Sequence, residues 1–314
     1  MKLSVILCTH NPHRGRLDRT LEGLKKQTLP RAEWEFILVD NASAPPLQGA
    51  VDLSWHPLGQ IIVEPETGLT RARLRGMSVA KGDIFLFVDD DMVAEPDYLA
   101  SASDIYDKHP FIGMLGGFGT AEYEVPLPIW LEDFRGFYLD HAGNDDRRMG
   151  FQYAMTRQYG PWIPVGAGMS IRSNIAAVYR ARVEKDDFSK DLGRKGNSLS
   201  GSEDTDMAYT TVELGYACAC SDRLKFLHIV PRHRLEFDYM VRLLYTSQYC
   251  AARLLIHRGW KKQVPLNPRT PLFYARHVWE EYRPRNKRQK LWHACMKGYY
   301  DAIAGVPMNR RYVG

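Results

Sequence analysis

The sequence predicts an α/β fold in which a doubly wound, mixed sheet precedes a helical C-terminal extension. Short apolar runs recur in the first 90 residues, and segments with Leu and Ala at helical spacing separate several of them. This alternation of strands and helices is typical of doubly wound sheets. In the last third of the chain the pattern predicts helices near residues 236–258, 271–282 and 286–303.

The elements of the first half follow from apolar runs and their spacing. Strands are predicted at Leu3–Cys8, Phe36–Val39, Gln60–Val63 and Ile84–Val88. Helices are predicted where Leu17, Leu21 and Leu24 repeat, and again between Leu69 and Ala80. From about residue 111 to 172 the chain is rich in Gly, Pro and aromatic residues. Strands are then predicted at Val165–Arg172, Tyr216–Cys220 and Leu224–Val230, and a helix at Glu203–Leu214 that ends at Gly215.

The composition is that of an ordinary globular protein. The 314 residues are 45% hydrophobic and 25% charged, enough to bury a sizeable core. The sequence contains no apolar run of about 18 residues, and its N-terminus begins directly with a predicted strand rather than a signal peptide. The five cysteines are scattered and odd in number, which favours reduced thiols. We therefore expect a cytoplasmic protein without a membrane span.

The charge is distributed unevenly. Residues 221–314 hold 19 Lys/Arg and 6 Asp/Glu, out of 42 and 37 in the whole chain, which leaves 23 and 31 in residues 1–220. A basic, aromatic C-terminal third is consistent with an anionic membrane surface, an acidic acceptor or nucleic acid as its partner, and equally with a solvated basic helical face. The sequence contains no recognisable nucleic-acid-binding motif, so nucleic acid is not expected.

Three consecutive carboxylates form the strongest candidate for a metal site. Asp89, Asp90 and Asp91 directly follow the apolar run Ile84–Val88. Strand alternation predicts that Asp89 and Asp91 point to one side and Asp90 to the other. Hard oxygen ligands suit Mg²⁺ or Mn²⁺, which proteins usually bind through one or two carboxylates together with substrate phosphates. The alternative is a solvated acidic turn.

Two other polar loops follow predicted strands. Thr9–Asn11 ends the first strand, and the pair Asp40 and Asn41 ends the second. In doubly wound sheets, ligands bind beyond the carboxyl ends of the strands. We therefore expect these two loops and the aspartate triplet to meet in one crevice.

Seven short motifs occur in a characteristic order: Ser4–Asn11, Gln27-Thr28, Val39–Ser43, Gly68–Arg73, Asp89–Asp91, Gly168–Arg172 and Gly201–Asp206. In this order they resemble the family 2 glycosyltransferases with the GT-A fold, over roughly residues 2–235. The chain departs from the family pattern at Cys8 and His10, where Pro and Tyr are usual, and at Leu74, where Asn is frequent. The resemblance implies inverting transfer of a sugar from a nucleotide-sugar donor, with Mn²⁺ or Mg²⁺ as cofactor.

The resemblance also implies roles for individual residues. The catalytic base is expected to be Asp204, with Glu203 as the second choice. Metal ligands are expected to be Asp91, Asp89 and His228. UDP is favoured as the nucleotide, because Asp40 matches the family residue that accepts a hydrogen bond from uracil. The residues expected to bind the nucleotide-sugar are Thr9, Asn11, Asp40, Asn41, Arg71, Arg73, Asp89 and Asp90.

The predicted domains follow the extent of the resemblance. Residues 1–235 are expected to form a GT-A-type, Rossmann-like domain, with a nucleotide-binding half at 1–110 and an acceptor-side half at 111–235, and residues 236–314 a helical extension. The chain lacks the Gln-x-x-Arg-Trp segment of the family's processive synthases, so we expect one sugar to be added per encounter. The acceptor is expected to be a glycan, a lipid-linked glycan or a small molecule, in surface polysaccharide or glycoconjugate biosynthesis. The extension is expected to contact the inner face of an anionic membrane.

Several alternatives remain open from the residues alone. Asp89–Val93 also fits the motif of haloacid-dehalogenase-like phosphatases, with Asp89 as nucleophile, and a nucleotide-sugar-binding protein without turnover is the non-enzymatic alternative. Asp40 is equally suited to accept backbone amides in a turn. Asp206 is expected to interact with its helix dipole or with a neighbouring Arg.

Overall fold

The computed structural model describes residues 1–138, 150–264, 284–308 and 312, and the predicted helix at 271–282 lies outside them. The chain forms two compact units. The first unit comprises residues 1–122, 134–190 and 204–230, and the second comprises residues 123–133, 191–203 and 231–314. Each unit is assembled from separate stretches of chain. The predicted domain boundary at residue 235 stays a prediction.

A mixed sheet dominates the first unit. In the described residues it has nine strands: β1 Leu3–Thr9, β2 Trp34–Asp40, β3 Gly59–Val63, β4 Ile84–Val88, β5 Met92–Ala94, β6 Ile112–Tyr123, β7 Phe151–Ala154, β8 Ser170–Arg172 and β9 Ala217–Val230. Their order in the sheet is β3-β2-β1-β4-β8-β6-β9-β5, with β7 paired to β9. The neighbouring pairs among β1 to β4 are parallel, whereas β8 joins β4 and β6 in antiparallel fashion.

Helices cover both faces of this sheet, and two long helices lie in the second unit. They are α1 Arg14–Lys25, α2 Leu69–Val79, α3 Tyr98–Lys108, α4 Ser173–Val183, α5 Asp187–Lys190, α6 Glu203–Glu213, α7 Phe237–His257 and α8 Lys287–Ile303. Short 3-10 helices lie at Arg31–Glu33, Ile129–Tyr138 and Arg232–Leu235. The predicted fold class, an α/β sheet followed by a helical C-terminal extension, is confirmed.

Strand β1 shows why the sheet is buried on both faces. Leu3, Val5 and Leu7 pack into one apolar cluster, whereas Ile6 and Cys8 pack into a second. Since successive side chains of a strand point to opposite faces, a strand that is apolar throughout requires a covered sheet. The parallel strands β1, β2 and β4 are therefore buried along their whole length, and their carboxyl ends carry the polar loops.

The strand boundaries differ most from the prediction in two places. The strand predicted at Val165–Arg172 covers only Ser170–Arg172. The two strands predicted on either side of Ser221-Asp222-Arg223 form one strand, β9. The polar residues interrupt the apolar run without ending the strand, because the Asp222 N–H donates to the Gly150 carbonyl at 3.1 Å and the Gly150 N–H donates to the Asp222 carboxylate at 3.1 Å.

In the second unit, α7 and α8 pack very closely. Gly298 lies against the Tyr245 backbone, where a Cβ would stand 2.1 Å from the carbonyl oxygen. The buried Asp301 carboxylate accepts a hydrogen bond from the Tyr245 hydroxyl at 2.9 Å and pairs with Lys297 at 2.9 Å. Among the helices of the described residues, none combines the length and apolarity required to cross a bilayer.

Candidate active site

The aspartate triplet forms a turn rather than a continuation of the strand. Strand β4 ends at Val88, and the Met92 N–H donates to the Asp89 carbonyl at 3.2 Å. Side-chain alternation requires extended backbone, so the argument that placed Asp89 and Asp91 on one side does not apply. Within this turn, Asp90 accepts a hydrogen bond from the Thr9 hydroxyl at the end of β1.

Asp91 and His228 form the best candidate for a cation site. Strand pairing places Met92 opposite His228, and the His228 Nε2 lies 3.7 Å from the Asp91 Oδ1. The His228 Nδ1 lies 2.6 Å from the carbonyl oxygen of Tyr138, so the proton belongs on Nδ1 and the lone pair on Nε2. Both side chains are buried, at 8% and 7% exposed.

These two side chains fit a divalent ion but fall short of the predicted ligand set. Their separation is smaller than twice a metal–ligand distance of about 2.1 Å, so one ion can touch both. Within the described ranges, no group of three or more His, Cys, Asp or Glu side chains is arranged to hold a metal. The Asp89 Oδ1 faces Arg73 Nη2 at 3.3 Å, and the expected role of Asp89 as a metal ligand stays a prediction.

Arg73 is a buried cation that contacts two parts of the site. Only 1% of Arg73 is exposed, and its guanidinium lies 5.4 Å from the ring centre of Phe87. Its Nη2 donates to the Asp89 carboxylate at 3.3 Å and to the Gly166 carbonyl at 3.2 Å. Arg73 therefore joins the aspartate turn to the loop before β8. Nucleotide contact by Arg73 stays a prediction.

The Gly166 peptide extends this connection to Asp204. Its N–H donates to the Asp204 Oδ2 at 3.0 Å, while the other carboxylate oxygen accepts the Thr205 N–H at 2.6 Å. The Thr205 hydroxyl also donates to this second oxygen, at 3.3 Å. A carboxylate has about four lone-pair sites, so these three bonds still leave acceptor capacity. Asp89, Arg73, Gly166 and Asp204 thus form a continuous chain of contacts, which we call the Arg73 network.

The neighbouring carboxylates have different surroundings. Asp206 is fully buried and pairs with Arg182, which matches its expected interaction with a neighbouring Arg. Glu203 is 5% exposed and belongs to the second unit, whereas Asp204 belongs to the first. In the second unit, burial raises the pKa of the Cys250 thiol, and the charge of Glu203 adds to that increase.

Asp40 binds its own loop. Its two carboxylate oxygens accept the Ser43 N–H at 3.0 Å and the Leu47 N–H at 2.8 Å, and the residue is 2% exposed. This is the turn-stabilising role that Asp commonly plays. Recognition of a base by Asp40 stays a prediction.

Asn41 is likewise engaged by backbone groups. Its side-chain nitrogen donates to the carbonyls of Glu64 and Glu66, at 3.1 and 2.7 Å. Its side-chain oxygen accepts the Gly68 N–H at 2.8 Å. Asn41 therefore fixes the loop that leads into α2, where Arg71 pairs with Glu66 at 2.7 Å.

Asn11 adopts a left-handed backbone conformation, with φ of 48°. Its side-chain oxygen accepts the Ala44 N–H at 2.8 Å, and its own N–H donates to the Ser43 hydroxyl at 3.0 Å. The backbone joins the same loops, since the Asn41 N–H donates to the Thr9 carbonyl at 2.8 Å. The loops after β1 and β2 therefore meet, as the sequence predicts.

Two residues of the site are not predicted from the sequence. Gly166 acts through its backbone N–H and carbonyl, and Tyr138 acts through its backbone carbonyl, so neither contact depends on a side chain that a sequence pattern could show. A weak signal for the first is the Gly166-Ala167-Gly168 segment. Gly168 has φ of 75°, and a Cβ there would lie 2.4 Å from the Tyr98 hydroxyl.

Comparison with known proteins gives a consistent family match. Residues 4–180 match the family model described as glycosyl transferase family 2. The glucosyl-dolichyl phosphate glucuronosyltransferase of Haloferax volcanii is 23% identical over 248 residues, which are 77% of this chain and 73% of the relative. The poly(ribitol-phosphate) beta-N-acetylglucosaminyltransferase TarS of Staphylococcus aureus is 30% identical over 112 residues, which are 35% of this chain and 19% of that protein.

Solved structures are similar over most of the chain at low identity. The crystal structure of S. aureus TarS 1–349 in complex with UDP has a TM-score of 0.49 and 16% identity, over 97% of this chain and 90% of that chain.

Proposed function

The chain belongs to glycosyl transferase family 2, and from this premise we propose that it moves one sugar at a time, with inversion, from a UDP-linked donor to an acceptor hydroxyl. The observation that supports this reaction best is the Arg73 network. It links the aspartate turn expected beside the donor to the carboxylate expected beside the acceptor. Such a link suits a displacement in which donor and base must be aligned, because small misplacements of reacting groups cost large factors in rate.

Asp204 is the proposed general base. The Gly166 and Thr205 N–H groups orient its carboxylate, and the remaining lone pairs are suited to accept the proton of the attacking hydroxyl. Glu203 remains the second candidate, since it is its immediate neighbour.

Asp91 and His228 would hold Mn²⁺ or Mg²⁺. When bound, such an ion neutralises charge that develops on a departing diphosphate. The Tyr138 carbonyl fixes the ring orientation of His228, a type of support that commonly tunes metal-ligating histidines. Thr9 anchors the turn by donating to Asp90.

The proposed acceptor is a lipid-linked glycan. The Haloferax relative is, by its name, a transferase that acts on a dolichyl phosphate-linked sugar, and this chain covers 73% of its length. A role in surface polysaccharide or glycoconjugate synthesis and a cytoplasmic location stay predictions.

Isothermal titration with UDP, GDP and dTDP, each with and without Mn²⁺, tests the donor site. We expect binding of UDP that requires Mn²⁺. Replacement of His228 by Gln should weaken the Mn²⁺-dependent binding by about tenfold or more, as disturbance of a metal site commonly does. Equal Mn²⁺-dependent affinity in this variant and the parent would exclude His228 as a ligand.

Release of UDP from a panel of UDP-sugars tests the base. The Asp204→Asn variant should bind UDP like the parent but turn over about 10²- to 10⁴-fold more slowly. Asp187→Asn is the matched control, because that carboxylate is 97% exposed and lies in the short helix α5. If Asp204→Asn is fully active and Glu203→Gln is not, the base is Glu203.

The alternatives make different predictions in these assays. The family match includes Asp89 to Val93, so the phosphatase interpretation of this motif has no remaining basis. UDP binding without turnover of any donor would favour the non-catalytic nucleotide-sugar-binding protein.

A further inference from the structure

Two large apolar side chains are exposed in the second unit beside a cluster of basic residues. Ile129, at the start of a 3-10 helix, is 87% exposed, and Trp292, on α8, is 48% exposed. Leaving a nearly complete Ile side chain in water forgoes much of the free energy that burial of such a residue yields. Apolar side chains rimmed by polar groups mark interaction surfaces.

Contacts within the second unit bring the two elements together. The Lys287 Nζ lies 5.0 Å from the ring centre of Trp130, the residue after Ile129. The Arg288 Nε pairs with Asp133 at 2.6 Å, one helical turn further along the 3-10 helix. The start of this helix therefore lies against the start of α8. We call the surface formed by residues 129–133 and 285–292 the basic-apolar face.

The basic-apolar face carries more basic than acidic side chains. Four exposed cations lie within six positions, at Arg285, Lys287, Arg288 and Lys290. The exposed acids on the face are Glu132 and Asp133, and Asp133 pairs with Arg288. Arg288 and Trp292 lie one turn apart on α8, so a cation and an indole ring share one side of the helix.

We propose that the basic-apolar face binds the surface of an anionic lipid bilayer. Lys and Arg side chains near an anionic membrane each add to the attraction, and an indole ring is suited to the level of the headgroups. A soluble polyanion would match the charge but offers no apolar environment for Ile129. The combination of exposed Ile and Trp with four cations therefore favours a bilayer over an acidic polymer. The proposal goes beyond the transfer reaction, since binding to a bilayer requires neither donor nor acceptor.

Co-sedimentation of the full-length protein with vesicles tests the proposal. Vesicles of phosphatidylcholine alone are compared with an equal mixture of phosphatidylcholine and phosphatidylglycerol, and only the mixture is expected to bind. Removal of one cation by Lys290→Gln should weaken partitioning about fivefold. The matched control Lys185→Gln neutralises an exposed lysine of the first unit and should leave partitioning unchanged.

The apolar contribution is tested by Ile129→Ser, which should weaken partitioning about tenfold or more, because insertion of Ile contributes in proportion to the area removed from water. Val178→Ser is the matched control, since Val178 is 46% exposed in the first unit. Both serine variants change exposed side chains, so the native fold should persist.

Two outcomes overturn the proposal. The first is absence of binding to the anionic vesicles, and the second is equal binding by Ile129→Ser and the parent. If heparin also displaces the protein fully from the vesicles in the second case, the face is a polyanion site. Release of UDP from donor measured without vesicles reports on the transfer reaction alone, so failure of the membrane proposal is distinguishable from failure of the proposed function.

Discussion

Replacement of Gly166 by alanine is expected to slow sugar transfer while the protein stays folded. A Cβ built at Gly166 lies 3.1 Å from the Arg73 Nη2 and 3.4 Å from Nη1. The guanidinium must therefore shift by roughly a few tenths of an ångström. Arg73 is 1% exposed and lies over Phe87, so the shift comes at the expense of its polar contacts.

The size of the effect follows from the geometry of the Arg73 network. The Nη2 contacts with Asp89 and the Gly166 carbonyl are already long, at 3.3 and 3.2 Å, and a further few tenths breaks one of them. A hydrogen bond to a charged group contributes about 1.5–3 kcal/mol. Because the Asp89 side chain is 34% exposed and water replaces part of the loss, we expect about 1–2 kcal/mol. A loss of about 1–2 kcal/mol of transition-state stabilisation lowers kcat/KM about 5- to 30-fold.

Steady-state kinetics with a UDP-sugar donor and an acceptor measures this effect. We expect the loss to include kcat, because Gly166 also orients the proposed base Asp204, and the KM for donor to rise as the contact between Arg73 and Asp89 weakens. Gly15→Ala is the control, since its Cβ would meet its nearest neighbour at an ordinary 3.4 Å. A Gly166→Ala protein with native circular dichroism and unchanged kcat would refute the role assigned to the network.

Two further predictions concern stability. Burial lowers the pKa of His56 to about 4, and nearby Arg31 adds to the effect. In the unfolded chain the imidazole of His56 is protonated near pH 6.5, so between roughly pH 6.5 and 4 the unfolded state binds more protons than the folded state. The free energy of unfolding should therefore fall by up to about 1.4 kcal/mol per pH unit as the pH decreases through this range. Urea denaturation near neutral and near acidic pH should show this loss in the parent and a smaller one in His56→Gln, and equal losses would contradict it. Gly298→Ala places a Cβ 2.1 Å from the Tyr245 carbonyl oxygen and should destabilise the protein by about 1–3 kcal/mol. The control Gly201→Ala meets no atom within 4 Å and should change the unfolding free energy little, so similar midpoints for both variants would show that α7 and α8 tolerate the methyl group.

The parts of the fold that the sequence predicts well are those with a strong local pattern. The strand Ile84–Val88 has the same bounds in the sequence analysis and in the structure, since a buried parallel strand is a continuous apolar run. The helix that ends at Gly215 is also recovered, because Gly215 has φ of 81°, a conformation that glycine adopts without strain. The loops after β1 and β2 meet because the carboxyl ends of neighbouring parallel strands lie at the same edge of the sheet.

The parts that the sequence predicts poorly depend on contacts between distant backbone groups. Asp40 matches a base-binding motif, and that motif does not specify the hydrogen bonds that its carboxylate accepts from the amides of Ser43 and Leu47. No residue pattern encodes the carbonyl of Tyr138 or the peptide of Gly166, because every residue has these groups. Motif matching therefore indicates where the candidate site lies, but it does not predict the hydrogen bonds to backbone groups within that site.

The aspartate triplet shows what those connections change. A sequence of three carboxylates suggests a single chelating cluster, yet in the folded protein they face three different elements. Asp89 faces Arg73 on α2, Asp90 faces Thr9 on β1, and Asp91 faces His228 on β9. Because the triplet forms a turn, its three side chains point in different directions. Asp91 lies beside His228, the pair proposed to hold a cation, whereas Asp90 and Asp89 connect the turn to β1 and to the Arg73 network. Each carboxylate of the triplet thus faces a different partner. This arrangement avoids the repulsion that would arise if all three carboxylates pointed to one side without a bound cation.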